Sequence, residues 1–215
     1  VLKLDDAGRK RMAPGLEGMV SGPMDVSVVI EPSGAQRMNI DLTRARVGIP
    51  WIGWSKGAGV PATVAFRMDT QGTRTDLSDF RLSGETFGAT GALSLVDGEV
   101  SRIRFPSARL NRGDDFSFEL NRQGRGYAVT VRGKSVDMRS LVKLMASETE
   151  ARASATAAVP LSLDVSVDAM VGFHGETFRD VKLSYSGAGA RTDSLEFSAV
   201  TAAGKRVTAR DVREG

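Results

Sequence analysis

The sequence predicts a mainly β fold of antiparallel hairpins with one amphipathic helix. Apolar residues alternate with polar ones in short runs, as at Val26, Val28 and Ile30, and this alternation is typical of strands with one buried face. Turn dipeptides such as Asp97-Gly98 separate the runs and can supply the positive φ that tight hairpin turns require. In one segment, apolar residues instead recur every three or four positions, which indicates a helix.

Further runs with the same alternation predict further strands. In each run the apolar residues are separated by mostly polar ones, so we expect one apolar and one wet face. These runs are Val64, Phe66 and Met68; Phe116, Phe118 and Leu120; Tyr127, Val129 and Val131; and Leu161, Leu163, Val165 and Val167.

The helical segment is predicted over residues 137–158. Asp137 is a candidate N-cap, and Pro160 would prevent the helix from continuing. The helix would divide the chain into a first β segment, residues 1–136, and a second β segment of the same repeating architecture, residues 159–215. A shorter turn or helix is also predicted over residues 50–56. The periodic apolar residues of the longer helix are Met138, Leu141, Val142, Leu144 and Met145.

Two stretches of the sequence resemble each other. Residues 75–84 read Thr-Asp-Leu-Ser-Asp-Phe-Arg-Leu-Ser-Gly, and residues 176–185 read Glu-Thr-Phe-Arg-Asp-Val-Lys-Leu-Ser-Tyr. A glycine-rich turn and another strand are expected after each, over residues 100–105 and 194–200. This similarity predicts a degenerate internal repeat of hairpins, an architecture that can extend by repetition.

Composition and motifs argue against several function classes. The chain has 215 residues, with 29 Lys and Arg against 26 Asp and Glu, and these charges are scattered, whereas a nucleic-acid-binding protein usually clusters its basic residues. The chain has no cysteine and one histidine, His174, so the usual thiolate and imidazole metal sites have no ligand set. We find no nucleophile elbow, dinucleotide fingerprint or P-loop. We therefore predict that the chain is not an enzyme and that it has no cofactor, no metal site and no nucleic-acid partner.

The predicted strands have more apolar surface than one helix can cover. A helix of about 20 residues covers only part of a large sheet. The remaining cover could come from a second sheet, closure of the sheet on itself, neighbouring repeats or an apolar ligand.

The middle of the chain contains five segments with a family resemblance: residues 41–43, 54–62, 77–84, 109–116 and 126–139. They include Trp-Ser-Lys-Gly-Ala-Gly-Val-Pro-Ala at residues 54–62 and Leu-Ser-Asp-Phe-Arg-Leu-Ser-Gly at residues 77–84. Together they resemble the periplasmic region of AsmA-like proteins of the YhdP type, which are related to TamB-type bridge-like lipid transport proteins. The resemblance covers roughly residues 40–145.

The resemblance implies a fragment of a long envelope protein of a Gram-negative bacterium, anchored in the inner membrane by a helix outside this sequence. It implies a taco-like β-groove, along which phospholipid acyl chains pass between the inner and outer membranes. The implied partners are those acyl chains, adjacent repeats of the same parent chain, and inner- and outer-membrane proteins. No catalytic residue is implied, because transport of this kind is partitioning along a surface.

Alternation alone selects the candidate lining residues of such a groove. An acyl chain that moves from water onto apolar strand faces gains ~0.8 kcal/mol per buried CH₂, so continuity matters more than pocket chemistry. The candidates are Val64, Phe66, Met68, Phe116, Phe118, Leu120, Tyr127, Val129 and Val131.

Two alternatives belong to other classes. In the first, the chain is a structural or assembly module for outer-membrane biogenesis without bound lipid, and its open sheet edges pair with extended client strands. In the second, it is a carbohydrate-binding domain in which Trp51 and Trp54 stack on sugar rings.

Overall fold

A computed structural model describes residues 2–4, 19–49, 54–139, 159–172, 175–188 and 191–213. These residues form sixteen strands and confirm a mainly β fold of twisted, open and mostly antiparallel sheet built from hairpins. The chain divides into two compact units, Val1–Arg112 and Gly113–Gly215. This division falls between residues 112 and 113, whereas the sequence pattern places its first boundary at the predicted helix.

The described residues of the first unit form two sheets. The larger has the strand order β1-β3-β4-β7-β8-β9-β10, and the smaller has the order β2-β5-β6. All neighbouring strands in both sheets are antiparallel. The strands are β1 (Leu2–Leu4), β2 (Val20–Ser21), β3 (Met24–Ile30), β4 (Gln36–Asp41), β5 (Arg46–Ile49), β6 (Trp54–Lys56), β7 (Ala62–Gln71), β8 (Arg74–Gly84), β9 (Gly88–Val96) and β10 (Glu99–Arg109).

The described residues of the second unit form one sheet, in which the strands follow their order in the chain. Strands β12 and β13 run parallel, and the other neighbouring pairs are antiparallel. A parallel pair needs a crossover connection of a dozen or more residues, and residues 138–159 provide that length. The strands are β11 (Asp115–Gln123), β12 (Gly126–Asp137), β13 (Pro160–Val171), β14 (Thr177–Ala188), β15 (Arg191–Thr201) and β16 (Arg206–Val212).

The two predicted helical segments have different outcomes. Most of the segment over residues 137–158 lies outside the described residues, as does His174. Asp137 itself is the last residue of β12, and its carboxylate accepts a hydrogen bond of 3.0 Å from the Arg139 N–H. For residues 50–56, the prediction is wrong where the structure describes the chain, because residues 54–56 form β6. Trp54 and Lys56 are both buried with exposed Ser55 between them, a strand alternation too short to recognise beside the neighbouring glycines.

The two similar sequence stretches share a backbone irregularity. Asp79 in β8 and Asp180 in β14 have positive φ angles of 53° and 51°. Each lies at a β-bulge, where the ladder to the next strand shifts its register. A bulge reverses the alternation, so Leu77 and Phe80, three residues apart, share one face. Phe178 and Val181 have the same spacing around Asp180.

The repeat also needs one correction. The strand that follows β8 is β9, not the strand over residues 100–105, which belongs to β10. The counterpart of β15 is therefore β9. The shared bulge supports the predicted repeat of hairpins, because it places the same sequence pattern at the same position of a hairpin.

Candidate functional site

The larger sheet of the first unit has one apolar face, organised in three rows that run across the strands. Directly paired residues of neighbouring strands share a face, so the ladder registers define the rows. The capped row contains Val26, Ile40, Val64, Leu82, Ala89 and Ala108. The aromatic row contains Val28, Met38, Phe66, Phe80, Gly91 and Phe105. The outer row contains Ile30, Gln36, Met68, Leu77, Leu93 and Ile103.

The aromatic row is held together by ring contacts. Phe66 and Phe80 stack with ring centroids 6.3 Å apart, and Phe80 and Phe105 stack at 5.2 Å. Phe80 and Phe105 come from β8 and β10, with Gly91 of β9 between them. A Cβ at Gly91 would meet the Arg104 carbonyl oxygen and lie 2.7 Å from the Phe105 ring. The glycine therefore makes room for the two rings to touch across a strand.

The capped row is covered by the smaller sheet. Ile40, Val64 and Leu82 pack against a buried cluster that includes Trp54 and Phe87. The Trp54 indole N–H donates a hydrogen bond of 2.7 Å to the Leu110 carbonyl. Val64 is thus part of the core beneath the smaller sheet, whereas Phe66 and Met68 lie in rows that remain half-buried.

A buried lysine fixes the loops that support this cap. Lys56 is 4% exposed, and its Nζ donates hydrogen bonds to the carbonyl oxygens of Leu42 at 2.6 Å and Ala45 at 2.7 Å. A third bond, of 3.2 Å, goes to the Gly57 carbonyl. Burial lowers the pKa of Lys56, and the charge of Asp41 opposes that shift. The ammonium group thus ties the residues before β5 to the end of β6.

The sheet of the second unit repeats this arrangement. The Phe118 row contains Phe118, Val131, Val165, Leu183, Phe197 and Ala209. The Leu120 row contains Leu120, Val129, Leu163, Tyr185, Leu195 and Asp211. A more deeply buried row lies beside them, with Phe116, Gly133, Val167 and Val181. Most side chains of the first two rows are half-buried.

All nine residues predicted from alternation lie in these rows or beside them. Phe118 and Val131 belong to the Phe118 row, and Leu120 and Val129 belong to the Leu120 row. Phe116, which is 9% exposed, lies in the buried row. Tyr127 is paired with Leu161 one step beyond the Leu120 row. The prediction missed Phe80 and Phe105 as part of the same surface, because the bulges interrupt the alternation in their strands.

In each unit, the face of the sheet opposite to the apolar rows is polar, and most of its charged side chains form ion pairs. The sheet meant in the first unit is the larger one. In the first unit, a hydrogen bond from Arg67 is the main cause that holds the pKa of Glu31 below its usual range, and a hydrogen bond from Arg37 adds to it. In the second unit, Arg132 pairs with Asp164 at 3.0 Å. That face contains an open depression of about 610 Å³, and most of the residues that line it have hydroxyl or charged side chains.

A similar cluster on β8 and β9 belongs to the polar face of the first unit. Hydrogen bonds lower the pKa of Asp76, with the larger effect from Arg74 and the smaller from Ser94. The Asp76 carboxylate oxygens lie 2.7 Å from Arg74 Nε and 2.5 Å from Ser94 Oγ. The cluster is therefore internally satisfied.

Within the described ranges, no group of His, Asp and Glu side chains could hold a metal ion. The same part of the chain contains no helix that is long and apolar enough to cross a membrane. Comparisons with protein-family models, with curated proteins and with solved structures found no significant match.

Proposed function

We propose that the chain is a lipid-binding β-groove module of a periplasmic, inner-membrane-anchored protein that moves phospholipid between the inner and outer membranes. The observation that carries this proposal is the set of half-buried apolar rows across the strands. In the first unit these are the aromatic row and the outer row. In the second they are the Phe118 row and the Leu120 row.

The dimensions of the rows fit an acyl chain. The aromatic row crosses six strands, and strands lie about 4.8 Å apart, so the row is roughly 24 Å long. The hydrocarbon part of one bilayer leaflet is about 15 Å thick. A single acyl chain can therefore lie along the row within one unit. Each methylene group that it buries contributes ~0.8 kcal/mol when burial is complete.

The chemistry of the rows favours a flexible apolar ligand. The only charged or amide side chains in the four rows are Gln36 and Asp211, each at or next to the end of its row. The rest of each row offers side-chain carbon, without the convergent polar groups that orient a compact ligand. Phospholipid headgroups would lie in water beside the rows.

The proposal predicts that the purified, detergent-free protein retains phospholipid, which mass spectrometry of an organic extract would detect. Phe66→Asp and Phe118→Asp each place a carboxylate within a row, and an ionised carboxylate is costly against an acyl chain. We expect each variant to lose most of the bound lipid.

Ala65→Asp and Ser117→Asp are matched controls, because they add the same charge next to the test positions but on the polar face. Circular dichroism and thermal melting would establish equal folding of all variants. A stable wild-type protein without lipid, or equal lipid loss in the controls, would contradict the proposal.

One feature favours the alternative, a structural or assembly module for outer-membrane biogenesis. Within the described residues, β1 pairs with only the first part of β3, at Met24–Val26. Val29 and Ile30, at the other end of β3, are 61% and 72% exposed. An apolar open edge can pair with an extended client strand. The sugar-stacking alternative has less support, because Trp54 is buried and its N–H is already bonded.

A further inference from the structure

Strand β16 (Arg206–Val212) presents a second and different open edge. Among the described residues of the second unit it pairs only with β15, through seven consecutive residue pairs without a register shift. Every residue of β16 is exposed. One side of a regular strand therefore offers its backbone N–H and C=O groups to a further strand.

The side chains of this edge have a distinct charge pattern. Residues 205–213 contain four basic residues, Lys205, Arg206, Arg210 and Arg213, against one acidic residue, Asp211. Arg210 forms an exposed ion pair with Glu196 at 3.2 Å. Lys205, Arg206 and Arg213 have no carboxylate within ion-pair distance in the described part of the chain. The edge therefore has an excess of positive charge.

The two faces of β16 differ. Thr208 and Arg210 extend the polar face of the sheet, since they pair with Ser198 and Glu196, and the alternation of the strand places Arg206 on the same face. Val207 and Ala209 extend the apolar face, since they pair with Ala199 and Phe197. A strand added beside β16 would meet Arg206 and Arg210 on one face, and Val207, Ala209 and Asp211 on the other.

We propose that β16 binds an extended segment of another polypeptide by β-augmentation, antiparallel to β16. The segment alternates acidic and apolar residues. Its backbone completes the ladder, its carboxylates lie beside Arg206 and Arg210, and its apolar residues lie beside Val207 and Ala209. The proposal does not depend on lipid binding.

A second copy of this chain is a poor occupant of the same edge. If two β16 strands paired with each other about Thr208, Arg206 of each strand would face Arg210 of the other on the polar side, and like charges across a strand pair are destabilising. Charged residues often protect edge strands against self-association. On the polar face of β16 the two charged residues, Arg206 and Arg210, are both positive, so they oppose self-pairing while they favour an acidic strand.

The probe is a capped synthetic peptide of alternating glutamate and valine, as long as β16, with a fluorescent label. We expect saturable binding to the full chain, measured by fluorescence anisotropy, with affinity that falls as salt is added. The double variant Arg206→Glu and Arg210→Glu should weaken binding at least ~10-fold, a change of about 1.4 kcal/mol. A peptide with lysine in place of glutamate should not bind.

Two controls separate strand pairing from simple charge attraction. The acidic peptide with alternate backbone nitrogens methylated keeps its charge but loses the ladder, and we expect it to lose binding. The double variant Arg81→Glu and Arg102→Glu makes the same charge change at exposed strand positions of the first unit and should bind as the wild type does.

Three results would overturn the proposal. The first is that the methylated peptide binds as tightly as the unmethylated one. The second is that the acidic peptide fails to bind, whereas anionic phosphatidylglycerol vesicles bind the wild type and do not bind the double variant. The third is that the chain associates with itself through β16. Circular dichroism of each variant would confirm that a loss of binding is not a loss of folding.

Discussion

Replacement of the buried Lys56 by methionine is the perturbation that most directly tests how the cap of the first unit is held. The substitution preserves much of the side-chain length and removes the ammonium group. Leu42 and Ala45 then lose their hydrogen bonds of 2.6 and 2.7 Å to Nζ. Because Lys56 is 4% exposed, water cannot easily replace the lost donor.

The magnitude follows from these contacts. Hydrogen bonds to a charged group contribute about 1.5–3 kcal/mol each, so the two short bonds together contribute about 3–6 kcal/mol. The methionine avoids the desolvation of a buried charge, which offsets part of this loss. We expect the free energy of unfolding to fall by about 2–4 kcal/mol.

The assay is urea unfolding followed by tryptophan fluorescence. Trp51 and Trp54 are the two tryptophans of the chain, and both belong to the first unit, so their emission reports on that unit. The two tyrosines, Tyr127 and Tyr185, belong to the second unit. The tryptophan transition should move to lower urea, while the second unit should unfold as in the wild type.

Lys134→Met is the matched control, because the Lys134 side chain is 79% exposed in its ion pair with Asp115. Exposed pairs contribute roughly 0–1 kcal/mol. The predicted role of Lys56 would be contradicted if Lys56→Met lowered the free energy of unfolding of the first unit by no more than Lys134→Met lowers that of the second unit. In that case the contacts of Lys56 with the carbonyl groups would not hold the cap.

Three further predictions concern the bulges, the aromatic row and the ion pairs. Asp79→Ala and Asp180→Ala should each lower the free energy of unfolding by roughly 1 kcal/mol, because alanine tolerates positive φ poorly; urea titration measures this. Gly91→Ala should cost about 1–3 kcal/mol by overpacking, seen as an earlier tryptophan transition. The free energy of unfolding should fall as the pH drops below about 4.5. In the folded chain the pKa values of Glu31 and Asp76 lie below their ordinary values of 4.5 and 3.8, so the unfolded chain binds protons first. Thermal melts across this pH range measure the loss of stability.

Each of these predictions has its own control. Asp79→Gly should keep the wild-type stability, since glycine adopts positive φ freely, and a loss equal to that of alanine would contradict the bulge argument. Gly57→Ala should be tolerated, because nothing lies within 4 Å of the added Cβ. Glu31→Gln should flatten the acid dependence, and an unchanged pH profile would show that this ion pair does not contribute to it.

The sequence predicted the strands because alternation and turn residues act locally. Phe118 and Val131, chosen from separate runs, are directly paired in the structure. Alternation does not specify which strands become neighbours, because parallel and antiparallel strands share the same period. The parallel pairing of β12 with β13 was therefore not predictable from these runs alone.

The bulges explain why part of the candidate surface was missed. A strict period of two puts Leu77 and Phe80 on opposite faces, whereas the positive φ of Asp79 returns both to one face. The spacing around Asp180 is the same. In both stretches one apolar residue lies two positions before the Asp and another lies one position after it, and this spacing is the sequence signal that could have indicated the bulge. Lys56 was missed for another reason, since nothing local in the sequence distinguishes a lysine that points into a cage of carbonyl groups.

The organisation in cross-strand rows determines how mutations should act on lipid binding. An acyl chain along the aromatic row would contact side chains from five strands and Gly91 on the sixth, so each residue would supply only a small part of the total contact. Truncation of Phe66 to alanine would remove one such part. A carboxylate at Phe66 instead interrupts the row, because a chain that passes it must leave the charge unsolvated. A groove of this kind is thus predicted to be insensitive to single truncations and sensitive to single charges, whereas a compact pocket would be sensitive to both.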